Sequence, residues 1–164
     1  MTRRAARILA LILWIVVAPL VHGVVPWAIS LLARRHGWAA GRPASWNFVG
    51  LVLVLVGAVS VIWSLVVHFV QMPETVELEW TPKYLLRRGP YAFTRNPMYV
   101  GALTLWLGWT LFYGSIAVAI GCLVLWLVMA TLVRSEERRL EARFGDAYRE
   151  YKNVVPRWLG RTRR

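Results

Sequence analysis

Apolar residues in this chain gather into four long runs, at 8–32, 46–70, 98–113 and 116–133. A helix needs about 20 apolar residues to cross the hydrocarbon of a bilayer, and the first two runs reach that length. The last two are shorter, but neither contains a charged side chain. The pattern predicts four transmembrane helices. Gly114-Ser115 is the reversal between the last two runs. At 1.5 Å per residue their arms measure about 24 and 27 Å, so Met98 and Val133 return to one level. Pro19, Gly23 and Pro26 interrupt the first run and predict a kink around His22, whose role is that of a polar group bonded to a freed carbonyl. Gly50, Gly57, Ala58 and Ser60 in the second run allow a neighbouring helix to approach closely.

Past the fourth run the period changes. Leu140, Phe144, Tyr148 and Tyr151 fall at steps of four, four and three and share a helical face, which predicts a C-terminal amphipathic helix lying on the membrane surface. Residues 71–97 are the longest stretch between helices and contain four prolines; a loop of that length in a compact chain is usually functional. Pro97 pushes Asn96 out of the α region and suits the first turn of the next helix. The chain divides accordingly into two N-terminal transmembrane helices, 1–70, and a region at 71–164 that holds the loop, the hairpin 98–133 and the C-terminal helix.

Composition agrees with an all-α integral membrane protein: 58% of the 164 residues are hydrophobic. A signal peptide is excluded as the reading of the first run, which is too long for one and is followed by no small-residue cleavage site. The net charge of +12 raises the question of nucleic acid, but its placement answers it. Arg3, Arg4 and Arg7 precede the first run, Lys83, Arg87, Arg88 and Arg95 lie between the second and third, and ten basic residues follow the fourth. By the positive-inside rule both termini and the central loop are cytoplasmic. Arg34, Arg35 and Arg42, in the first loop, run against that bias. The charge serves topology and attraction to anionic lipid, not nucleic acid. Trp27, Trp46 and Trp80 suit the interfacial belts. Cys122 is alone, and His22, His36 and His68 show no i, i+4 pairing, so neither a disulfide nor a metal site is expected.

The hairpin brings Tyr91, Arg95, Asn96, Tyr99, Arg134, Glu136 and Glu137 to the cytoplasmic face. Carboxylates beside a bilayer are costly unless paired or hydrated. Arg95 or Arg134 could neutralise them in an ion-pair network. A ligand carrying both an ammonium and a carboxylate would use the same groups, glutamate for the amine and arginine for the acid. Tyrosine faces suit a sulfonium or an adenine ring.

The segments "GPYAFTRNPMYVG" (89–101) and "EERRLEARFGDAYREYKNVVPRW" (136–158), in order and spaced by the hairpin, resemble the isoprenylcysteine carboxyl methyltransferase and phospholipid N-methyltransferase superfamily of integral membrane enzymes. The resemblance covers roughly residues 70–158. It implies an S-adenosyl-L-methionine pocket facing the cytosol over the last two helices, with a lipid-like or prenylated acceptor entering from the bilayer. Carried over, Tyr91, Arg95, Asn96, Pro97, Met98 and Tyr99 form the cofactor tract, and Lys83, Tyr84, Leu85 and Leu86 an upstream contact. Glu136 or Glu137 takes the cofactor's amine, and Arg134 and Glu137 stand on the catalytic, acceptor side. Asn96 replaces a histidine of many members, and the extra helices of the larger eukaryotic carboxyl methyltransferases are missing. The expected acceptor is an isoprenylcysteine carboxylate, with phosphatidylethanolamine as the alternative. A soluble Rossmann-type methyltransferase is excluded, because no glycine-rich fingerprint follows a strand. A small transporter is disfavoured because all eight acids lie outside the runs. A sterol-reductase relative shares the "RNPMY"-like tract but needs room for a dinucleotide, and a non-catalytic scaffold remains the rival outside enzymes.

Overall fold

A computed structural model describes residues 15–71 and 84–160, with Ile8 and Ile12. Lys83, Trp80 and the N-terminal arginines Arg3, Arg4 and Arg7 lie outside the described residues. Helix α1, Ile15–Ser30, contains a π-helical turn at Leu20–Val24. It is followed by α2 (Val49–Gln71), α3 (Pro97–Tyr113), α4 (Ile116–Phe144) and α5 (Asp146–Val154). Two helices, Ser45–Gln71 and Ile116–Phe144, are long and apolar enough to cross a membrane. Only 22% and 17% of their most apolar stretches are buried, whereas the core helix of a soluble domain would be mostly covered. Val52, Leu55, Val59 and Ile62 of α2 and Ile120, Leu123, Leu127 and Leu132 of α4 are exposed, as a lipid-facing surface requires. Ile15–Ser30 is a shorter apolar helix, and α3 has 17 residues.

The small residues of α2 meet small residues of α3. A Cβ on Gly57 would stand 2.7 Å from the Gly101 carbonyl oxygen, and one on Gly108 would stand 2.7 Å from that of Gly50. Only hydrogen at these four positions lets the two backbones touch, the small-residue packing used where lipid removes the hydrophobic drive between helices. Ser60 adds a hydrogen bond to the Pro97 carbonyl at 3.4 Å.

The expected kink in α1 takes the form of the π turn. Pro26 brings no N–H to the carbonyl four residues before it, that of His22. The Trp109 indole donates to that oxygen at 2.5 Å, and the Trp106 indole donates to His22 Nδ1 at 3.2 Å. The freed carbonyl is thus satisfied from α3 rather than by the His22 ring.

At the opposite end of the bundle from residues 84–97, the first loop closes over the α3–α4 reversal. Gly114 ends α3 at φ 55°, a left-handed turn that glycine adopts without strain, and its carbonyl accepts from the His36 N–H at 2.9 Å. Asn47 Nδ2 reaches the carbonyls of His36, Leu111 and Phe112 at 3.2, 3.1 and 3.0 Å. Arg35 lies 5.0 and 4.9 Å from the ring centres of Trp38 and Tyr113 and donates to Ser30 Oγ at 2.6 Å. One of the loop arginines that ran against the charge bias is therefore a packing residue. This loop also holds a short antiparallel ribbon, β1 (Trp38–Ala39) with β2 (Arg42–Pro43), an exception to the all-helical expectation.

The C-terminal helix differs from its expectation. Helix α4 runs unbroken past its apolar part to Phe144, Gly145 breaks it at φ 52°, and α5 starts at once. The Leu140–Phe144–Tyr148–Tyr151 face exists, but it is buried against protein, with Val155 and Leu85, instead of resting on headgroups.

Candidate active site

The proline-rich segment before α3 owes its course to the chain's C-terminal part. Pro90 starts a 3₁₀ turn at Gly89–Ala92, and Thr94, Arg95 and Asn96 then lie along residues 156–157. The Arg95 N–H donates to the Pro156 carbonyl at 3.0 Å. Thr94 Oγ1 and Asn96 Nδ2 donate to the Arg157 carbonyl at 3.1 and 2.9 Å. Tyr151 OH donates to the Tyr91 carbonyl at 2.7 Å, and the Arg87 guanidinium donates to the Ala147 carbonyl. Two motifs some 60 residues apart therefore form one surface, and Asn96 holds it together with its amide.

Glu136 and Glu137, both beyond Val133 where the apolar part of α4 ends, meet different surroundings. Glu137 is buried and accepts from Arg157 Nη2 at 2.7 Å and Nε at 3.1 Å. Arg95 Nη1 lies 3.1 Å from its other oxygen, an ion pair that lacks hydrogen-bond alignment. Glu136, by contrast, accepts from the neutral phenol of Tyr99 at 3.3 Å and joins no ion pair among the described residues. Burial raises its carboxyl above the ordinary carboxylate range, opposed by the Tyr99 hydrogen bond and the Arg139 charge.

Two cavities open here, of about 150 and 260 Å³. Each falls below the lower end of usual ligand pockets, about 300 Å³. They share Tyr91, Arg95, Asn96, Met98 and Glu136, which makes them two lobes of one site. Tyr84, Leu85, Leu86 and Glu137 line the smaller lobe, while Pro97 and Tyr99 line the larger. Arg134 is exposed on α4 and lines neither lobe. Lys83 lies outside the described residues. Tyr148, Tyr151 and His68 in the smaller lobe and His22 and Met129 in the larger went unassigned by sequence, as did the Arg157 anchor. Arg157 did stand inside the quoted "VVPRW", and the tyrosine stripe was visible. For Met129 the sequence carries no signal.

Burial lifts the Tyr84 phenol to about 12, and that of Tyr148 also to about 12 with help from Glu137. Tyr91 is raised too, by burial and then by the Glu136 charge. These phenols stay neutral near pH 7. They offer ring faces and O–H donors, not bases. Arg95 Nε and Nη1 are buried and make no hydrogen bond among the described residues. A guanidinium with an unused Nε donor thus shares a cavity with a carboxylate that joins no ion pair among the described residues.

A family model described as phospholipid methyltransferase matches residues 45–147, well over half of the chain. The chain belongs to the phospholipid methyltransferase family. The matched stretch takes in α2, α3, the whole of α4 and the first residues of α5, so it contains most of the site. A phospholipid methyltransferase-family chain with this site is also similar to the protein-S-isoprenylcysteine O-methyltransferase of Schizosaccharomyces pombe, at 36% identity over 73 residues. That alignment covers 44% of this chain and 31% of the fission yeast protein. An uncharacterized protein of Haemophilus influenzae is 41% identical over 63 residues, 38% of this chain and all of its own length. No solved structure matches the chain. The family and the fission yeast relative support a methyltransferase that works at a membrane.

Proposed function

We propose that this protein is an S-adenosylmethionine-dependent membrane methyltransferase whose acceptor is an amphiphile of the isoprenylcysteine carboxylate kind. The observation that carries the reading is the pairing, in one cavity, of Glu136, which joins no ion pair among the described residues, and Arg95, whose buried Nε donor is unused. An amino-acid zwitterion satisfies both at once. Glu136 holds the ammonium and Arg95 the carboxylate, while Tyr91 and Tyr99 present ring faces to a cation. Glu137 is committed to Arg95 and Arg157 and acts by fixing the Arg95 guanidinium. Tyr84, Leu85 and Leu86 close the smaller lobe and exclude water.

S-adenosylmethionine supplies a sulfonium methyl already activated for in-line displacement. The protein's task is then to orient the acceptor and keep water out. A carboxylate oxygen attacks directly and needs no base. An ammonium would first have to lose a proton, and the neutral phenols offer no base for it. Phosphatidylethanolamine is the second reading, favoured by the family whose model matches. In this reading α1 and α3 also span, giving four helices with both termini and the site cytoplasmic. The first loop's seat on the Gly114-Ser115 reversal supports that arrangement, because it places both on one side.

Calorimetry on the detergent-solubilised protein tests the cofactor, with measurable binding of S-adenosylmethionine expected. Methyl-labelled cofactor, offered with prenylcysteine analogues and separately with phosphatidylethanolamine, tests the acceptor. A base-labile product marks an ester and a base-stable one an N-methyl lipid. Absence of cofactor binding by folded protein would reject the enzyme in favour of a scaffold.

A further inference from the structure

His22 is not needed to satisfy the break in α1, because the Trp109 indole already takes the freed carbonyl. Its ring stands elsewhere, at the wall between two spaces. On one side is the larger lobe of the site, where it faces Tyr99, Ala102, Met129 and Glu136. On the other is an apolar groove of about 480 Å³ between α1 and α2, lined by Ile15, Ala18, Pro19, Ala58, Ile62 and Leu65. His22 is common to both. A second apolar groove, about 580 Å³, runs between α3 and α4 past Leu103, Leu107, Leu123 and Trp126, and is the larger. It ends at Val100 and Trp158, next to Tyr99 and Arg157, but shares no lining residue with either lobe, whereas the α1–α2 groove shares His22.

The hydrogen bonds fix what the ring can offer. An indole N–H only donates, so His22 Nδ1 must be the acceptor of the Trp106 bond and the ring proton sits on Nε2. Nε2 has no partner among the described residues. The π turn, a local irregularity often found at functional sites, is what places this residue here.

Resting on the methyltransferase reading above, we propose that His22 is the acceptor-binding residue: its Nε2–H donates to an anionic oxygen of the acceptor's head, while the acceptor's hydrocarbon chain lies in the α1–α2 groove. The shared chemistry is an anionic oxygen on a long apolar chain, whether carboxylate on a prenyl or acyl tail or phosphate of a phospholipid. His22 is a donor and not a base, since its one acceptor nitrogen is occupied by Trp106.

The test uses the full chain in detergent, with His22→Ala and His22→Gln. Thermal scanning in detergent certifies the fold, with a cooperative transition expected in both variants, and cofactor affinity is measured separately by calorimetry so that acceptor KM is read at saturating cofactor. With labelled cofactor, His22→Ala raises KM for the long-chain acceptor roughly tenfold or more, the loss of one hydrogen bond to a charged group. His22→Gln, which keeps an N–H donor, recovers most of that loss. An unchanged acceptor KM in His22→Ala overturns the proposal while leaving the methyltransferase reading intact. A second readout needs no turnover. A diazirine-tailed alkyl carboxylate and a diazirine-tailed phosphatidylethanolamine are photolysed separately with the protein, and the adducts are mapped by mass spectrometry. Adducts at residues 15–23 and 58–65, reduced in His22→Ala, support the groove, and the better-labelling probe identifies the source of the anionic oxygen. Adducts concentrated at Leu103, Leu107, Leu123 and Trp126 overturn it. Labelling of the α1–α2 groove in a protein that binds no cofactor would keep the acceptor site and reject the methyltransferase.

Discussion

Replacing Glu137 by glutamine strips the buried Arg95 guanidinium of its counter-ion, the two side chains being 10% and 7% exposed. Breaking a buried pair from one side costs about 3–5 kcal/mol. The Arg157 arm adds less, because that side chain is 39% exposed and its charge is screened. Glu137→Gln should therefore lower the melting temperature markedly, read by thermal scanning in detergent. Glu136→Gln should behave oppositely. Burial already penalises its charged form, so the empty protein keeps its melting temperature near neutral pH, while cofactor affinity falls by about 1.5–3 kcal/mol. The sign of the pH dependence follows from the same shift. Affinity is full where Glu136 is ionised and declines as pH falls through its raised value, sooner than for an ordinary glutamate at about 4.3. Calorimetry across acidic pH reads this directly, and a flat profile would remove Glu136 from the amine site. Sequence named both glutamates but could not separate them, because the Arg157 that claims Glu137 arrives 20 residues later, from the turn after α5.

Helices α2 and α3 touch through glycine on both sides, which makes their contact sensitive to single methyl groups. Gly57→Val would drive side-chain carbons into the Gly101 carbonyl, where even a Cβ sits 2.7 Å away. Overpacking of this kind costs about 1–3 kcal/mol. Gly23→Ala is the control, since a Cβ there meets nothing within 4 Å. Thermal scanning should show a clear loss for the first and none for the second; equal behaviour would mean that the two backbones do not meet at these positions. Gly50 and Gly57 were legible as close-approach positions from their small size alone. Their partners Gly101 and Gly108 lie in a run read only for its length, and pairing them required knowing that α3 lies against α2. The C-terminal stripe taught a similar lesson. Periodicity identified the face Leu140–Tyr151, but not what covers it, because lipid and a folded-back loop bury the same apolar residues.

Across the whole molecule, charge placement and apolar length predict an orientation, and one arginine obscures the count. Arg35 is held between Trp38 and Tyr113 and bonded to Ser30, so it contributes packing where a tally of loop charges counts a topological signal. Arg34 and Arg42 remain exposed in that loop, against ten basic residues after the fourth apolar run. The first loop is bonded to the α3–α4 reversal through His36 and Gly114, and the site stands at the other end of α3, a 17-residue helix about 25 Å long. Those two ends must then lie on opposite sides of a bilayer if α3 crosses it. Topology reporters inserted at Ala40, in the exposed turn of the ribbon, and fused after Gly160 read this without disturbing the reversal itself. The expected result is an external signal at 40 and a cytoplasmic one at 160. The same side for both would mean that α3 does not span and that the matched arms of the hairpin lie within one leaflet. An inverted pair would turn the Glu136–Arg95 cavity away from the cytosol, the compartment in which S-adenosylmethionine is made, and would defeat the cofactor assignment however well the residues fit it.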